Sequence, residues 1–111
     1  MLSFYILSML KGNSNKQGRL TLEKIAVRHV LVTHDYEAND LLKLLSENKS
    51  FAELAQKFSK CPSSKVGGDL GEFGRGRMVE AFDTAAFNLK VDEISQPVKT
   101  RFGFHLIQRY K

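Results

Sequence analysis

The pattern of apolar and polar residues divides the chain into a leader, a linker and a body. Residues 1–10 are apolar, and residues 11–18 (KGNSNKQG) are polar, contain glycine and show no periodicity. Such a composition is typical of a linker. We therefore expect residues 1–22 to form a leader and linker, and residues 23–111 to form one folded domain.

Apolar runs predict strands at both ends of the body. Residues 25–33 (IAVRHVLVT) are rich in β-branched side chains and apolar on both faces, which favours a central, covered strand. Residues 104–110 (FHLIQRY) predict the final strand, and a short strand is expected near residues 98–100, after Pro97. Five glycines within residues 61–77 indicate turns around one further short strand.

Helical spacing marks the segments between these strands. Asp35 can cap a helix that extends to about Asn48, and residues 78–88 again show helical patterning. Ser50 and Glu53 have capping-box spacing, followed by an apolar stripe at i, i+3, i+4 and i+7, namely Phe51, Leu54, Ala55 and Phe58. Because the elements do not alternate as βαβ units, the order predicts an α+β domain with a mostly antiparallel sheet.

The positive charge of the chain lies mainly before the body. The net charge is +5, yet residues 1–28 hold five basic residues against one acidic residue, and the rest holds twelve against eleven. A nucleic acid or another anionic surface would therefore bind the N-terminal segment. Since the body is almost neutral, we expect nucleic acid not to be the main partner.

No apolar stretch reaches the roughly 18 residues that a membrane span requires. Residues 1–10 also lack a basic n-region and a small-x-small cleavage site. We expect a cytoplasmic protein without a membrane span, while the apolar leader keeps export or anchoring open. The single cysteine, Cys61, cannot form an internal disulfide.

Two histidines and the cysteine are the candidates for chemistry. His29 and His105 lie within predicted strands, where a histidine is most often a hydrogen-bonded core group. If the two strands are neighbours, the pair becomes a polar network at the centre of the sheet. Metal binding needs at least three converging ligands, and Cys61 is the only obvious third, so we expect neither metal nor cofactor. A cysteine-nucleophile role stays open, although no protease signature surrounds Cys61.

An ordered set of motifs covers about residues 26–111. It comprises HVLV at 29–32, CPS at 61–63, GGDLGEF at 67–73, RGRMV at 75–79 with AF at 81–82, AF at 86–87, ISQPV at 94–98 and FGFH at 102–105. In this order and spacing the motifs resemble the parvulin family of peptidyl-prolyl cis/trans isomerases. The resemblance implies a four-stranded antiparallel sheet surrounded by about four helices, with the first and last strands adjacent, so that His29 lies beside His105.

The resemblance also implies roles for individual residues. Cys61 would face the reacting peptide bond, and Asp69 and Thr100 would join the polar network around His29 and His105. A proline pocket would be formed by Leu70, Met78 and Phe82, with Phe102 as its wall. The implied partners are proline-containing polypeptides or unfolded clients, bound by a monomer that assists protein folding and needs no cofactor.

One departure from the family bears on substrate choice. Members directed to phosphoserine- or phosphothreonine-proline carry basic residues in the loop after the first strand, where this chain reads THDYE at 33–37. Two carboxylates there would repel a phosphate. We therefore expect no phospho-specificity and a preference for an uncharged, bulky apolar residue before proline. The chain also contains no Trp, so we expect a small stand-alone parvulin without the Trp-bearing peptide-binding module.

Three functions from different classes remain. The first is an active isomerase with a noncovalent mechanism, which the intact pocket and polar set favour. The second is a parvulin-shaped chaperone or peptide-binding module with little activity, which loss of the histidines or Met78 would have favoured. The third is a binder of nucleic acid or anionic surfaces, which a basic, ordered body would have favoured.

Overall fold

The structure is a computed structural model that describes residues 23–111; the predicted leader and linker at 1–22 lie outside the described residues. The described part holds four strands, three α-helices and one 3-10 helix. In chain order these are β1 (Lys24–Val32), α1 (Asp35–Ser46), α2 (Phe51–Phe58), the 3-10 helix (Pro62–Val66), β2 (Asp69–Gly74), α3 (Glu80–Phe87), β3 (Val98–Thr100) and β4 (Gly103–Arg109). The predicted α+β class and element order are confirmed.

The four strands form one antiparallel sheet in the order β2-β1-β4-β3. The first and last strands are therefore the two central ones, as expected. Leu31 of β1 lies opposite His105 of β4, and His29 lies opposite Ile107. Because side chains alternate along a strand, His29 and His105 project from the same face of the sheet at diagonal positions.

Each face of the sheet is covered by its own apolar cluster. One face packs under α3, and this α3 cluster comprises Ile25, Val27, Phe73, Phe82, Ala86, Phe87, Leu89 and Ile107. The other face packs under α1 and α2, and this α1–α2 cluster comprises Val30, Val32, Ala38, Leu41, Phe51, Leu54, Ala55 and Leu106. β1 contributes alternate residues to the two clusters, which explains why its sequence is apolar on both faces.

The helix ends agree with the sequence in one case and differ in the other. Ser50 caps α2, where its hydroxyl accepts a hydrogen bond from the backbone N–H of Glu53 at 3.2 Å. The predicted cap Asp35 of α1 is wrong, because His34 is the N-cap and Asp35 is the first helical residue. The Glu37 carboxylate accepts the His34 backbone N–H at 2.9 Å, and Asp35 instead lies in the first turn, where a negative charge is favourable.

Two glycines let loops approach β1 closely near His29 and Val32. Gly68 has φ +84°, and a Cβ there would lie 2.3 Å from the His29 carbonyl oxygen. Its own carbonyl accepts the His29 backbone N–H at 2.9 Å. Gly103, with φ +138°, approaches the Val32 carbonyl in the same way. Only glycine fits such positions, so these two residues fix the backbone around the histidines.

None of the helices within residues 23–111 is long and apolar enough to cross a membrane.

Candidate active site

An open cleft of about 450 Å³ lies on the α3 face of the sheet, above the two histidines. The four residues predicted to form the proline pocket all line it: Leu70, Met78, Phe82 and Phe102. The three polar candidates, His29, His105 and Cys61, line it as well. The cleft thus combines an apolar wall with a small polar base, which is the usual composition of a site for a small apolar group.

The two histidines form the base of the cleft and contact each other directly. Their Nδ1 atoms lie 3.1 Å apart, and the rings stack with an interplanar angle of 18°. One Nδ1 must carry a proton and the other must accept it, so the pair holds opposite tautomers. On the far side, His105 Nε2 lies 2.7 Å from the hydroxyl of Thr100. Three predicted residues therefore form one hydrogen-bonded chain across β1, β4 and β3.

Burial keeps this pair uncharged. His29 is 4% exposed and His105 is 5% exposed. Burial, with a smaller contribution from neighbouring His105, lowers the pKa of His29 to about 4, and burial also lowers the pKa of His105. At neutral pH the base of the cleft is therefore polar but neutral.

Phe82 joins the histidines to the apolar wall. Its ring lies edge-on to both, with centroids 5.5 Å from His29 and 5.2 Å from His105. Edge-to-face contacts of this kind are favourable aromatic arrangements. Phe82 is 3% exposed and belongs to the first half of α3, so the helix positions the histidine rings from above. Phe102 differs, because it is 56% exposed at the mouth of the cleft.

Cys61 lies at the N-cap of the 3-10 helix, as a half-buried free thiol. The Ser59 hydroxyl accepts backbone N–H groups from both Leu31 and Cys61, at 3.0 and 3.3 Å. This serine ties the segment before the 3-10 helix to β1. Cys61 is thereby placed beside the cleft without a hydrogen bond from its thiol to another residue of 23–111.

Asp69 is the one predicted polar residue that the structure does not bring to the histidines. It lies opposite Arg28, whose side chain is on the other face of β1 from His29. Its carboxylate accepts the Tyr110 hydroxyl at 2.5 Å and the Gly71 backbone N–H at 2.8 Å. The hydrogen bond from Tyr110 is the main reason that the pKa of Asp69 is lowered.

The cleft also has lining residues that the sequence analysis did not select: Leu31, Lys60, Pro62, Arg77 and Val79. Leu31 could have been found, since strand alternation places it on the face of His29. Lys60 precedes the CPS motif and Arg77 belongs to the RGRMV motif, but nothing in the local pattern showed that their side chains line the cleft. Both are exposed and positively charged, so the rim carries cations that the β1–α1 loop lacks.

Among residues 23–111, no group of three or more His, Cys, Asp or Glu side chains could hold a metal ion.

The comparison with known families matches residues 29–111 to the rotamase family, described as the PPIC-type PPIase domain. A foldase protein PrsA from Halalkalibacterium halodurans is 41% identical over 92 residues, which are 82% of this chain and 28% of that protein. A peptidyl-prolyl cis-trans isomerase Pin1 from Digitalis lanata is 54% identical over 67 residues, covering 60% of this chain and 57% of that protein. The chain spans under a third of the length of the curated foldases it matches.

Solved structures agree in both fold and sequence. PrsA from Bacillus subtilis superposes with a TM-score of 0.78 at 42% identity, over 79% of this chain and 35% of that chain. NmPin, the parvulin of Nitrosopumilus maritimus, superposes with a TM-score of 0.74 at 40% identity, over 79% of this chain and 96% of that chain. Since the family match covers residues 29–111, which include every residue that lines the cleft, this chain belongs to the parvulin family of peptidyl-prolyl cis/trans isomerases.

Proposed function

We propose that the chain catalyses cis/trans isomerisation of X–Pro peptide bonds and that the client proline binds in the cleft. One observation supports this most strongly: a neutral, buried histidine pair lies directly beneath an apolar cleft. A proline ring is apolar, whereas the carbonyl that precedes it is polar. The cleft offers a matching surface to each.

The reaction breaks no covalent bond, so the site needs no group that transfers a proton. The barrier of about 18–20 kcal/mol arises because the C–N bond is partly double, and the twisted amide loses that resonance. Uncatalysed X–Pro bonds rotate in tens to hundreds of seconds. A site that holds the proline ring and provides a polar environment for the rotating carbonyl lowers this barrier through preorganised electrostatics.

We assign roles according to what each side chain reaches. Leu70, Met78, Phe82 and Phe102 hold the proline ring. Cys61 is the single thiol of the chain; it is half-buried, lines the cleft and contacts the rotating carbonyl as a weak donor. His29 and His105 are too buried to be reached freely, and with Thr100 they act as positioning residues that keep the cleft base neutral.

For the residue before proline, our proposal is an uncharged, bulky apolar side chain and no phospho-specificity. Its support is the first turn of α1, where Asp35 and Glu37 follow the short β1–α1 connection. A second candidate, an acidic residue at that position, is favoured by the positively charged rim. Lys60 and Arg77 both line the cleft, and neither makes an ion pair within the described part of the chain.

The test is a protease-coupled isomerisation assay with four peptides that differ only in the residue before proline: Leu, Glu, phosphoserine and Lys. We expect the highest kcat/KM for Leu-Pro. The second candidate predicts that Glu-Pro exceeds both Leu-Pro and Lys-Pro and that Arg77→Gln removes this advantage. A higher kcat/KM for phosphoserine-proline than for Leu-Pro would contradict the absence of phospho-specificity. No turnover of any peptide by the folded protein would instead support the peptide-binding module.

Assistance to protein folding is part of the proposal, because several relatives are named foldases. We also propose that the protein is a monomer and that it acts in the cytoplasm. The monomer is tested by sedimentation, where a mass near 12.6 kDa is expected. The compartment is tested by fractionation of the source cells.

A further inference from the structure

A second depression, of about 570 Å³, lies between α1 and α2, next to the active-site cleft. We call it the α1–α2 groove. The residues that carry the argument are three apolar ones, Tyr36, Leu44 and Phe58, and three charged ones, Glu37, Asp40 and Lys60. It has no part in the proposed catalytic step.

The apolar residues of the groove exceed what packing of the fold requires. On α2, Phe51, Leu54 and Ala55 of the apolar stripe are buried, whereas Phe58, the last member, is 49% exposed. Tyr36 of α1 is 61% exposed. Two large aromatic side chains on adjoining helices thus border one surface depression. Exposed aromatic groups in a depression are typical of sites that bind another polypeptide.

The groove and the cleft lie on opposite faces of the sheet and come together beside the end of β1. Lys60 lines both, and its backbone N–H donates to the Leu31 carbonyl at 2.8 Å, so this segment runs beside the end of β1. Leu31 lines the cleft, and the next residue, Val32, lines the groove. An extended polypeptide advances about 3.3 Å per residue. A client whose proline is in the cleft can therefore pass over Lys60 and enter the groove within a short stretch of chain.

The charges of the groove distinguish its two walls. Glu37 and Asp40 are on the α1 wall, and Lys57 and Lys60 are on the α2 side. Backbone hydrogen bonding at His34 is the main reason that the pKa of Glu37 is lowered, so this carboxylate stays ionised. A cation on the client would therefore be attracted to the α1 wall. A neighbouring apolar side chain of the client would contact Tyr36 and Phe58.

We propose that the α1–α2 groove binds the client segment that flanks the isomerised proline and selects a large apolar side chain next to Lys or Arg. The inference rests on the proposed isomerase function. It makes the enzyme selective for unfolded chains over short peptides, because a short peptide occupies the cleft alone. Since the groove adds binding without changing the chemistry, it lowers KM and leaves kcat unaltered.

The test compares a short Leu-Pro peptide with longer peptides that carry Phe-Lys at two to eight residues on either side of the proline. We expect at least one spacing to lower KM about tenfold. Replacing Phe-Lys by Ser-Ser should remove the gain, and Phe-Glu should recover only part of it. Phe58→Ser should lose the gain while still isomerising the short peptide. Val66→Ser, which removes an even more exposed apolar group outside the groove, should keep it.

Asp40→Lys provides the matched test of charge. We expect it to raise the KM of the Phe-Lys peptide and to lower the KM of the Phe-Glu peptide. Equal KM values for short and long peptides at every spacing would overturn the proposed role of the groove and leave the isomerase proposal intact. Failure to turn over any peptide would instead refute the isomerase itself. If Phe58→Ser changes the sedimentation mass but not KM, the groove is a contact between copies of this chain and the inference is wrong.

Discussion

The two faces of the sheet are buried to a similar extent but hold different chemistry. Under α1 and α2 the buried cluster is apolar throughout, with Val30, Leu54 and Leu106 among its members. Under α3 the packing is interrupted by two histidines and opens into the cleft. Both faces therefore stabilise the fold through apolar packing, while the α3 face also accommodates polar groups whose burial is unfavourable unless they are hydrogen-bonded.

The largest effect is expected for Phe82, which belongs to both the α3 cluster and the cleft. Phe82→Ala removes a buried ring and should lower the free energy of unfolding by about 3–5 kcal/mol. In the folded fraction kcat/KM should fall about 100-fold, since both histidines lose the ring that positions them. Urea denaturation and the Leu-Pro assay measure the two effects. Phe82→Leu, which keeps an apolar side chain, should fold and lose about tenfold activity; a wild-type kcat/KM in that variant would mean that the ring contacts do not matter.

Leu54→Ala is the counterpart on the α1–α2 face. Deleting this buried side chain should cost about 2–4 kcal/mol of unfolding free energy, because a cavity is left behind. The folded fraction should keep kcat/KM within about twofold of wild type. Activity measured well below the denaturation midpoint separates the two quantities. A tenfold loss of activity there would show that the faces are coupled, and the comparison between them would fail.

For Cys61 we expect a moderate effect on activity alone. Cys61→Ala should reduce kcat/KM about tenfold, and Cys61→Asp should retain measurable turnover, because a carboxylate can also provide a polar contact beside the rotating carbonyl. A covalent step would not survive either replacement. Kinetics on one Leu-Pro peptide and mass spectrometry of the wild-type protein after turnover are the measurements. Complete loss in both folded variants, together with a substrate adduct on Cys61, would refute the noncovalent mechanism.

Acid should lower the free energy of unfolding through the buried histidine pair on the α3 face. A lowered histidine pKa means that the unfolded chain binds protons before the native protein does, so stability is full above about pH 6.5 and declines as the pH falls toward 4. The loss from this pair should be at least about 1 kcal/mol. Urea midpoints at pH 7, 5.5 and 4 measure it, with the double variant His29→Leu, His105→Leu as reference. The same pH dependence in both proteins would assign the effect to other groups.

The smallest effect is expected for Asp69. Its carboxylate contacts Tyr110 and Gly71 rather than the histidines, so Asp69→Asn should change kcat/KM less than about twofold. Thr100→Val should cost more, about fivefold, because it removes the partner of His105 Nε2. Both variants are assayed on the same peptide. If Asp69→Asn proves more damaging than Thr100→Val, the polar network extends through the sheet to its other face.

Much of this arrangement could be predicted from sequence because the signals were local. The apolar run of β1, the capping serine of α2 and strand alternation at His29 all depend on neighbouring residues. That Lys60 and Arg77 line the rim of the cleft could not be predicted, since it depends on how two loops pack around the cleft. The position of Asp69 opposite Arg28 could not be predicted either, because a register shift between Val27 and Arg28 sets β2 against β1 and sequence spacing does not reveal such a shift.

The buried histidine pair has a consequence for how this protein would respond to selection. His29 Nε2 is buried without a hydrogen-bond partner among residues 23–111, and an unmatched polar atom of this kind costs about 1–3 kcal/mol. Exchanging both rings together for apolar ones removes that cost and leaves only the half-buried Thr100 hydroxyl without its His105 partner. A library selected only for heat resistance should therefore accumulate paired losses at positions 29 and 105. Positions at which substitutions raise heat resistance but lower turnover of a Leu-Pro peptide would then outline the site.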